Sequence, residues 1–313
     1  MTPTAARVAA IDCGTNSIRL LVADADADGR LVDVVREMRI VRLGQGVDRT
    51  GRFGDDALAR TFTALDDYAA TIRDTGAERV RMVATSATRD AANRDVFIDG
   101  VRGRLGVTPD VVTGDEEAQL SFAGATADLR GNTWPAPYLV CDIGGGSTEF
   151  VVGDADGVSA AISVDIGCVR MTERHLHDDP PTRAQVATAT GDVDEAVRRA
   201  VESVGGGRAH TLVGLAGSVT TVVAIALGLE TYDAERIHHA RISAEAVHDV
   251  TSRLLAMSRA ERAALPVMHP GRVDVIGAGA LVLDRVLTVT RFDSVVASEH
   301  DILDGIALSI AGA

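Results

Sequence analysis

The sequence predicts an α/β protein assembled from two copies of one domain, and three observations lead there. A motif occurs twice at a constant offset. Asp12-Cys13-Gly14-Thr15-Asn16-Ser17 and Asp142-Ile143-Gly144-Gly145-Gly146-Ser147 lie 130 positions apart, as do Asp24 and Asp154. Both copies read as an apolar strand, an Asp-x-Gly turn carrying small hydroxyl or amide residues, and a second apolar strand. Composition fits the class: 46% of residues are hydrophobic but only 3% aromatic, so the cores are built from Val, Leu, Ile and Ala. A length of 313 residues accommodates two such cores.

Val8–Asp12 and Ile18–Asp24 read as a hairpin across the Gly14 turn, and Leu31–Leu43 as a third strand. Leu58, Phe62, Leu65, Ala69 and Ile72 fall on one helical face, with Gly76 ending that helix. Val80–Ala84 is a strand leading into Thr85-Ser86-Ala87-Thr88-Arg89, Val96–Leu105 a helix, and Val111-Val112 the end of another strand. Thr113 to Glu116 has capping-box spacing and opens a helix that turns Ala118, Phe122, Ala125 and Leu129 inward. The order β-β-β-α-β-α-β-α is that of a ribonuclease-H-like domain. Gly131 to Pro137 reads as a linker, because Gly and Pro break both periodicities.

The order then restarts with Tyr138–Asp142, Thr148–Val152 and Val158–Val164 as strands. Helices over Ala184–Val204 and Ala244–Met257, strands over Leu212–Leu215 and Val295–Ala297, and a terminal helix over Ile302–Ile310 complete the reading. The expected domains are residues 1–130, completed by a C-terminal helix at 300–313, and residues 136–299, with a cleft between them.

All 31 basic residues are arginine. A chain without lysine can carry neither a Walker A loop nor a Schiff-base enzyme, and any basic contact to phosphate must come from Arg. The net charge of −14 argues against nucleic-acid binding, although Arg36-Arg39-Arg42 and Arg79-Arg81 offer local clusters to line a groove. Cys13, Cys141 and Cys168 lack metal-ligand spacing and read as reduced thiols of a cytoplasmic protein. Met1–Arg7 shows no signal-peptide pattern, and no apolar run reaches membrane-spanning length.

The paired turns carry the chemistry. Successive backbone N–H groups in a Gly-rich turn form a nest that binds phosphate oxygens without lysine. Gly14, Thr15, Asn16 and Ser17 form one candidate nest, and Gly144, Gly145, Gly146, Ser147 and Thr148 the other. Glycine is expected there for positive φ and close approach, with Ser17, Ser147 and Thr148 adding hydroxyl donors. A lone Asp-x-Gly is an ordinary hairpin turn; two at one offset are not. Asp12 and Asp142, at strand ends, are candidate Mg²⁺ ligands. Glu149 replaces Arg19 of the first copy, directly after a phosphate turn, where a carboxylate makes sense only as a metal ligand or proton carrier. Glu117 lies in the first turn of a helix, and Arg89 after a strand end, placed to neutralise a transferring phosphoryl group. His238-His239 and His269 lack a metal-ligand cluster nearby in sequence and read as loop or groove residues. Gly277–Ala280 reads as close helix packing, and Asp24, Asp26 and Asp28 as a solvated turn.

These residues resemble the exopolyphosphatase and guanosine pentaphosphate phosphatase family. The two turns resemble its phosphate loops. Thr85–Arg89 and Gly114-Asp115-Glu116-Glu117-Ala118 resemble its Thr-x-x-x-Arg and Gly-x-x-Glu-Ala segments. Gly214–Ser218 and Arg272–Ile276 resemble its later Gly-rich turn and Arg-x-Asp segment. The match runs in order along the chain and is similar to the short two-domain actinobacterial form. The paired loops alone would also suit actin, chaperone ATPases and sugar kinases. The resemblance implies a fold of the actin-like ATPase superfamily and hydrolysis of the terminal phosphoanhydride of polyphosphate. It implies Glu117 as general base, Arg89 as stabiliser of the phosphoryl group, and Mg²⁺ or Mn²⁺ held by Asp142 and Glu149. Asp301-Ile302-Leu303-Asp304-Gly305 departs from the family's Gly-Leu-Arg-Glu-Gly, with Leu303 in place of Arg. Guanosine pentaphosphate as substrate, a low-turnover alarmone- or polyphosphate-binding regulator, and a kinase on the same fold are the alternatives. Homodimerisation is left open.

Overall fold

The structure, a computed structural model, describes residues 6–26, 30–129 and 134–311. Asp28 of the acidic turn and Gly131–Thr133 of the expected linker lie outside the described residues. The chain forms two compact units, Met1–Gly124 with Asp301–Ala313, and Ala125–His300. The first division falls inside the helix Gly114–Thr126, ahead of the Pro-rich segment.

The first unit contains strands β1 (Ala6–Cys13), β2 (Ser17–Ala25), β3 (Leu31–Ile40), β4 (Arg79–Ala84) and β5 (Asp110–Val111). They form one sheet in the order β3-β2-β1-β4-β5, with β1, β2 and β3 antiparallel and β4 and β5 parallel to β1. This is the ribonuclease-H-like arrangement. Because strand side chains alternate between faces, Ile11, Ile18 and Leu20 pack with Leu65, Tyr68 and Phe97 of the helices Asp55–Thr75 and Arg94–Leu105. Val8, Ala10, Leu21 and Val83 pack on the other face with Leu120 and with Ile302, Leu303 and Ile306 of the helix Ile302–Ala311. The C-terminal segment thus closes the first unit's core. Leu303, the residue at which the sequence departs from the resemblance, is buried there.

The second unit contains β6 (Tyr138–Ile143), β7 (Thr148–Asp154), β8 (Gly157–Val164), β9 (Thr211–Leu215), β10 (Arg241–Ser243) and β11 (Ser294–Ala297), in the order β10-β11-β9-β6-β7-β8. Read from β8, five of these repeat the first sheet, and β10 adds an antiparallel edge. The duplication reaches the ladder itself. Asp12 pairs with Arg19 and Asp142 with Glu149; Cys13 pairs with Ile18 and Ile143 with Thr148. Even the register shifts correspond, at Val22/Ala23 and at Val152/Gly153. The protein is therefore built from two ribonuclease-H-like domains.

Some expectations change. β3 stops at Ile40 because Val41 and Arg42 donate backbone N–H groups to the Asn16 carbonyl and the chain turns at Arg42, φ 52°. Thr113 Oγ1 caps the Glu116 N–H, but the Glu116 carboxylate binds Arg81 rather than completing a capping box. Three of the five clustered arginines are already paired with carboxylates: Arg36 binds Asp33 and Asp304, Arg39 binds Asp67, and Arg81 binds Asp110 and Glu116. Among the helices that the sequence reading did not assign, the two longer ones that build the second unit's site are Cys168–His175 and Ala216–Ala226. The second is rich in Val and Thr, and burial overrides that β propensity. Among the described residues no helix is long and apolar enough to cross a membrane. Cys13, Cys141 and Cys168 are buried free thiols.

Candidate active site

In open α/β sheets, ligands are bound beyond the carboxyl ends of parallel strands. In the first unit those ends are β1, β4 and β5. They deliver the turn Gly14–Asn16, the one-turn helix Ser86–Asp90, and the helix carrying Glu117. Thr85 donates its N–H to the Cys13 carbonyl at 3.2 Å, and Thr15 Oγ1 and Ser86 Oγ lie 2.9 Å apart, so the first two segments are tied. In the second unit β6 delivers the turn Gly144–Ser147, and β9 delivers Ala216-Gly217-Ser218.

The two turns are built alike. Gly14 donates to the Ser17 carbonyl and Gly144 to the Ser147 carbonyl, both at 3.0 Å. A following segment then occupies the turn's carbonyls. Gly44 N–H binds the Thr15 carbonyl at 2.8 Å, and Val41 and Arg42 bind that of Asn16. In the second copy Cys168 N–H binds Gly144 at 2.9 Å, Val169 and Arg170 bind Gly145, and Gly167 binds Gly146. Arg170 Nε adds a bond to the Gly146 carbonyl at 2.7 Å. With the acceptors so engaged, the amides of Thr15, Asn16, Gly145, Gly146 and Ser147 donate to no protein atom among the described residues. Such a row of amides suits an oxyanion.

Two expectations about these turns are corrected. Neither Gly14 nor Gly144–Gly146 is among the glycines at positive φ. The glycine requirement is steric and sits on the bracing segments: a Cβ at Gly44 would strike the Thr15 side chain, and one at Gly167 the Gly145 backbone. Thr148 spends its hydroxyl proton on the Ile166 carbonyl at 3.1 Å, so it braces the second turn and offers no hydroxyl to a ligand.

Beneath the turns the copies differ by one reversal of charge. Asp12 is 4% exposed and accepts Arg19 Nε and Nη2 at 3.0 and 2.8 Å; Arg19 Nη1 also binds Asp301. Burial pushes the Asp12 carboxyl up, and Arg19 opposes that. Asp12 thus already has a cationic partner in Arg19, which it shares with Asp301. In the second unit Asp142, 7% exposed, stands directly across the ladder from Glu149, 1% exposed. Glu149 Oε1 accepts Ser163 Oγ at 2.7 Å. Like charges directly opposite on one sheet face repel, and burial removes the screening of water. In the first copy Arg19 supplies a cation at the position of Glu149.

Glu117 is 7% exposed, and its Oε2 accepts Arg89 Nη1 at 2.6 Å. The same nitrogen donates to the Val112 carbonyl at 3.0 Å. Arg89 Nε and Nη2 make no hydrogen bond among the described residues. The guanidinium therefore orients Glu117 with one nitrogen and keeps two for an anion. The sequence reading missed two features. The Arg272 guanidinium lies against Gly217, leaving no space there for a Cβ, and donates to Thr221 Oγ1 at 3.2 Å. His238 and His239, read as lacking a cluster, meet Asp128 and His300, which lie too far away in sequence for spacing to reveal.

Residues 21–312 match the family model described as the Ppx/GppA phosphatase family. The chain is 54% identical over 318 residues to exopolyphosphatase 2 of Mycobacterium tuberculosis, covering 98% of this chain and 99% of that one. It superposes on the crystal structure of an exopolyphosphatase-like protein with a TM-score of 0.94 and 48% identity, over 97% of both chains. For the Aquifex aeolicus Ppx/GppA family member the TM-score is 0.81 at 30% identity, again over 97% of both chains.

Proposed function

The chain belongs to the Ppx/GppA phosphatase family, and on that premise we propose that it is an exopolyphosphatase. It removes the terminal phosphate of inorganic polyphosphate as orthophosphate. One observation carries the substrate assignment: the likeness to the mycobacterial exopolyphosphatase 2 extends over nearly the whole of both chains. The cytoplasm is the compartment that suits its free thiols.

In the first unit the unengaged amides of Thr15 and Asn16, and in the second those of Gly145, Gly146 and Ser147, each form a nest for phosphate oxygens. Glu117 accepts a proton from the attacking water as its oxygen bonds to the terminal phosphorus. The bridging P–O bond breaks, and the electron pair leaves on the shortened chain. Arg89 holds Glu117 in place with Nη1 and turns Nε and Nη2 to the charge on the phosphoryl oxygens. Asp142 and Glu149 suit Mg²⁺ or Mn²⁺, since both are oxygen donors whose buried charges oppose each other. When bound, the ion supplies positive charge to the phosphate oxygens.

The test is orthophosphate release from polyphosphate and from guanosine pentaphosphate at equal concentrations of chain ends, with Mg²⁺ or Mn²⁺. Faster release from polyphosphate is expected. Faster release from guanosine pentaphosphate would transfer the assignment to the alternative substrate. Binding of either without release would indicate a regulator.

A further inference from the structure

A second cluster of ligand-type side chains lies in the Ala125–His300 unit, apart from the residues assigned to hydrolysis. It draws on three stretches distant in sequence: Asp128 in the turn after the helix Gly114–Thr126, His238 and His239 after the short helix Ala234–Ile237, and His300 after β11. His238 Nε2 lies 2.7 Å from Asp128 Oδ2, His300 Nδ1 lies 3.2 Å from the same oxygen, and His239 Nε2 lies 3.5 Å from Oδ1. The His238 and His239 rings stack with centroids 3.8 Å apart, and the His300 ring is 4.6 Å from His238.

We propose that Asp128, His238 and His300 form a site for a divalent transition-metal ion of the zinc class. Their ligand atoms lie within 4.8 Å of one another. Bonds of about 2.0–2.1 Å in a tetrahedron place ligand atoms roughly 3.3 Å apart, so small side-chain movements complete the set. A set dominated by imidazole selects Zn²⁺ and its neighbours; Mg²⁺ prefers an all-oxygen shell. The cluster is therefore chemically distinct from the Asp142–Glu149 pair.

Three features fit a built site better than a chance meeting. His239 sits at φ 61°, a left-handed conformation that a non-glycine residue adopts at a cost. Its N–H is anchored to the Ala297 carbonyl at 2.7 Å, and this holds its ring against His238. His239 Nε2 is buried with no hydrogen bond among the described residues, a stranded group beside a carboxylate. The side chains are half-buried, which leaves a path from solvent.

Loading has one structural consequence. The Glu299 N–H donates to His238 Nδ1 at 3.2 Å, which keeps the imidazole proton on Nε2, facing Asp128. Coordination through Nε2 moves that proton to Nδ1 and breaks the bond from Glu299.

The test is a Co²⁺ titration of the chelator-treated full chain, read by visible absorption. One ion per chain with the intense bands of a four-coordinate site is expected, displaced by Zn²⁺ and not by Mg²⁺. Asp128→Asn and His300→Ala should each weaken binding at least about tenfold, the scale on which even outer partners of metal ligands act. Zinc-edge X-ray absorption of the unaltered chain counts the imidazole ligands independently, should a variant fail to fold. Weak pale binding, variants that bind like the parent chain, or a zinc shell lacking two imidazoles would overturn the proposal and leave a hydrogen-bonded clasp.

Discussion

Arg19 and Glu149 occupy equivalent positions opposite Asp12 and Asp142, and this single exchange of charge turns a salt-bridged carboxylate in the first copy into a facing pair of carboxylates in the second, the pair proposed above to hold the metal ion. Asp142→Asn should raise the Mg²⁺ concentration for half-maximal activity or abolish turnover; unchanged metal dependence would remove Asp142 from the site. Arg19→Met leaves Asp12 and Asp301 buried without their cation. Loss of one partner of a buried ion pair costs about 3–5 kcal/mol, readable as a lower denaturant midpoint at neutral pH. Burial pushes Asp301 up, but Arg19 holds it below the ordinary carboxylate range. Its contribution is present above the unfolded pKa and disappears as pH falls through the folded one, so the variant's deficit should shrink in acid. Glu117→Gln keeps the shape of the side chain and removes its basicity. A loss of ~10²–10⁴-fold in kcat with KM nearly kept is expected. Turnover within a few-fold of the parent would move the base elsewhere, with Glu149 the next candidate.

At the scale of elements, each Asp-x-Gly turn depends on a bracing segment that consumes its carbonyls. Gly167 begins one brace and Gly44 ends the other. Gly167→Ala puts a methyl group into the Gly145 backbone, and overpacking of that kind costs roughly 1–3 kcal/mol. The turn is the cheaper part to displace, so polyphosphate binding should weaken with little change in far-UV circular dichroism. Binding equal to the parent chain's would show that the brace does not set the turn.

For the molecule as a whole, charge is the governing quantity. A net charge of −14, with Arg36, Arg39 and Arg81 of the arginine clusters already paired with carboxylates, leaves little to attract a long polyanion. Short polyphosphates should be hydrolysed faster than long ones at equal concentrations of chain ends. Added salt should weaken binding of longer chains most, by screening. A markedly higher rate on chains of hundreds of phosphates would contradict this and point to a basic groove made by two copies.

The repeat, the strand order and the charge exchange at Arg19 and Glu149 were all legible in the sequence, because period-2 alternation and a fixed offset are local signals. Glu117 was singled out through a resemblance spanning five residues, Gly114–Ala118. Three things required the tertiary structure. The bracing of each turn joins it to residues about 20 to 30 positions later through backbone bonds, which no side-chain pattern records. The Ala216–Ala226 helix forms against its own propensity because it is buried. The meeting of Asp128, His238 and His300 spans 172 positions, from 128 to 300, and spacing along the chain carries no information about ligands that only the folding of the second sheet brings together.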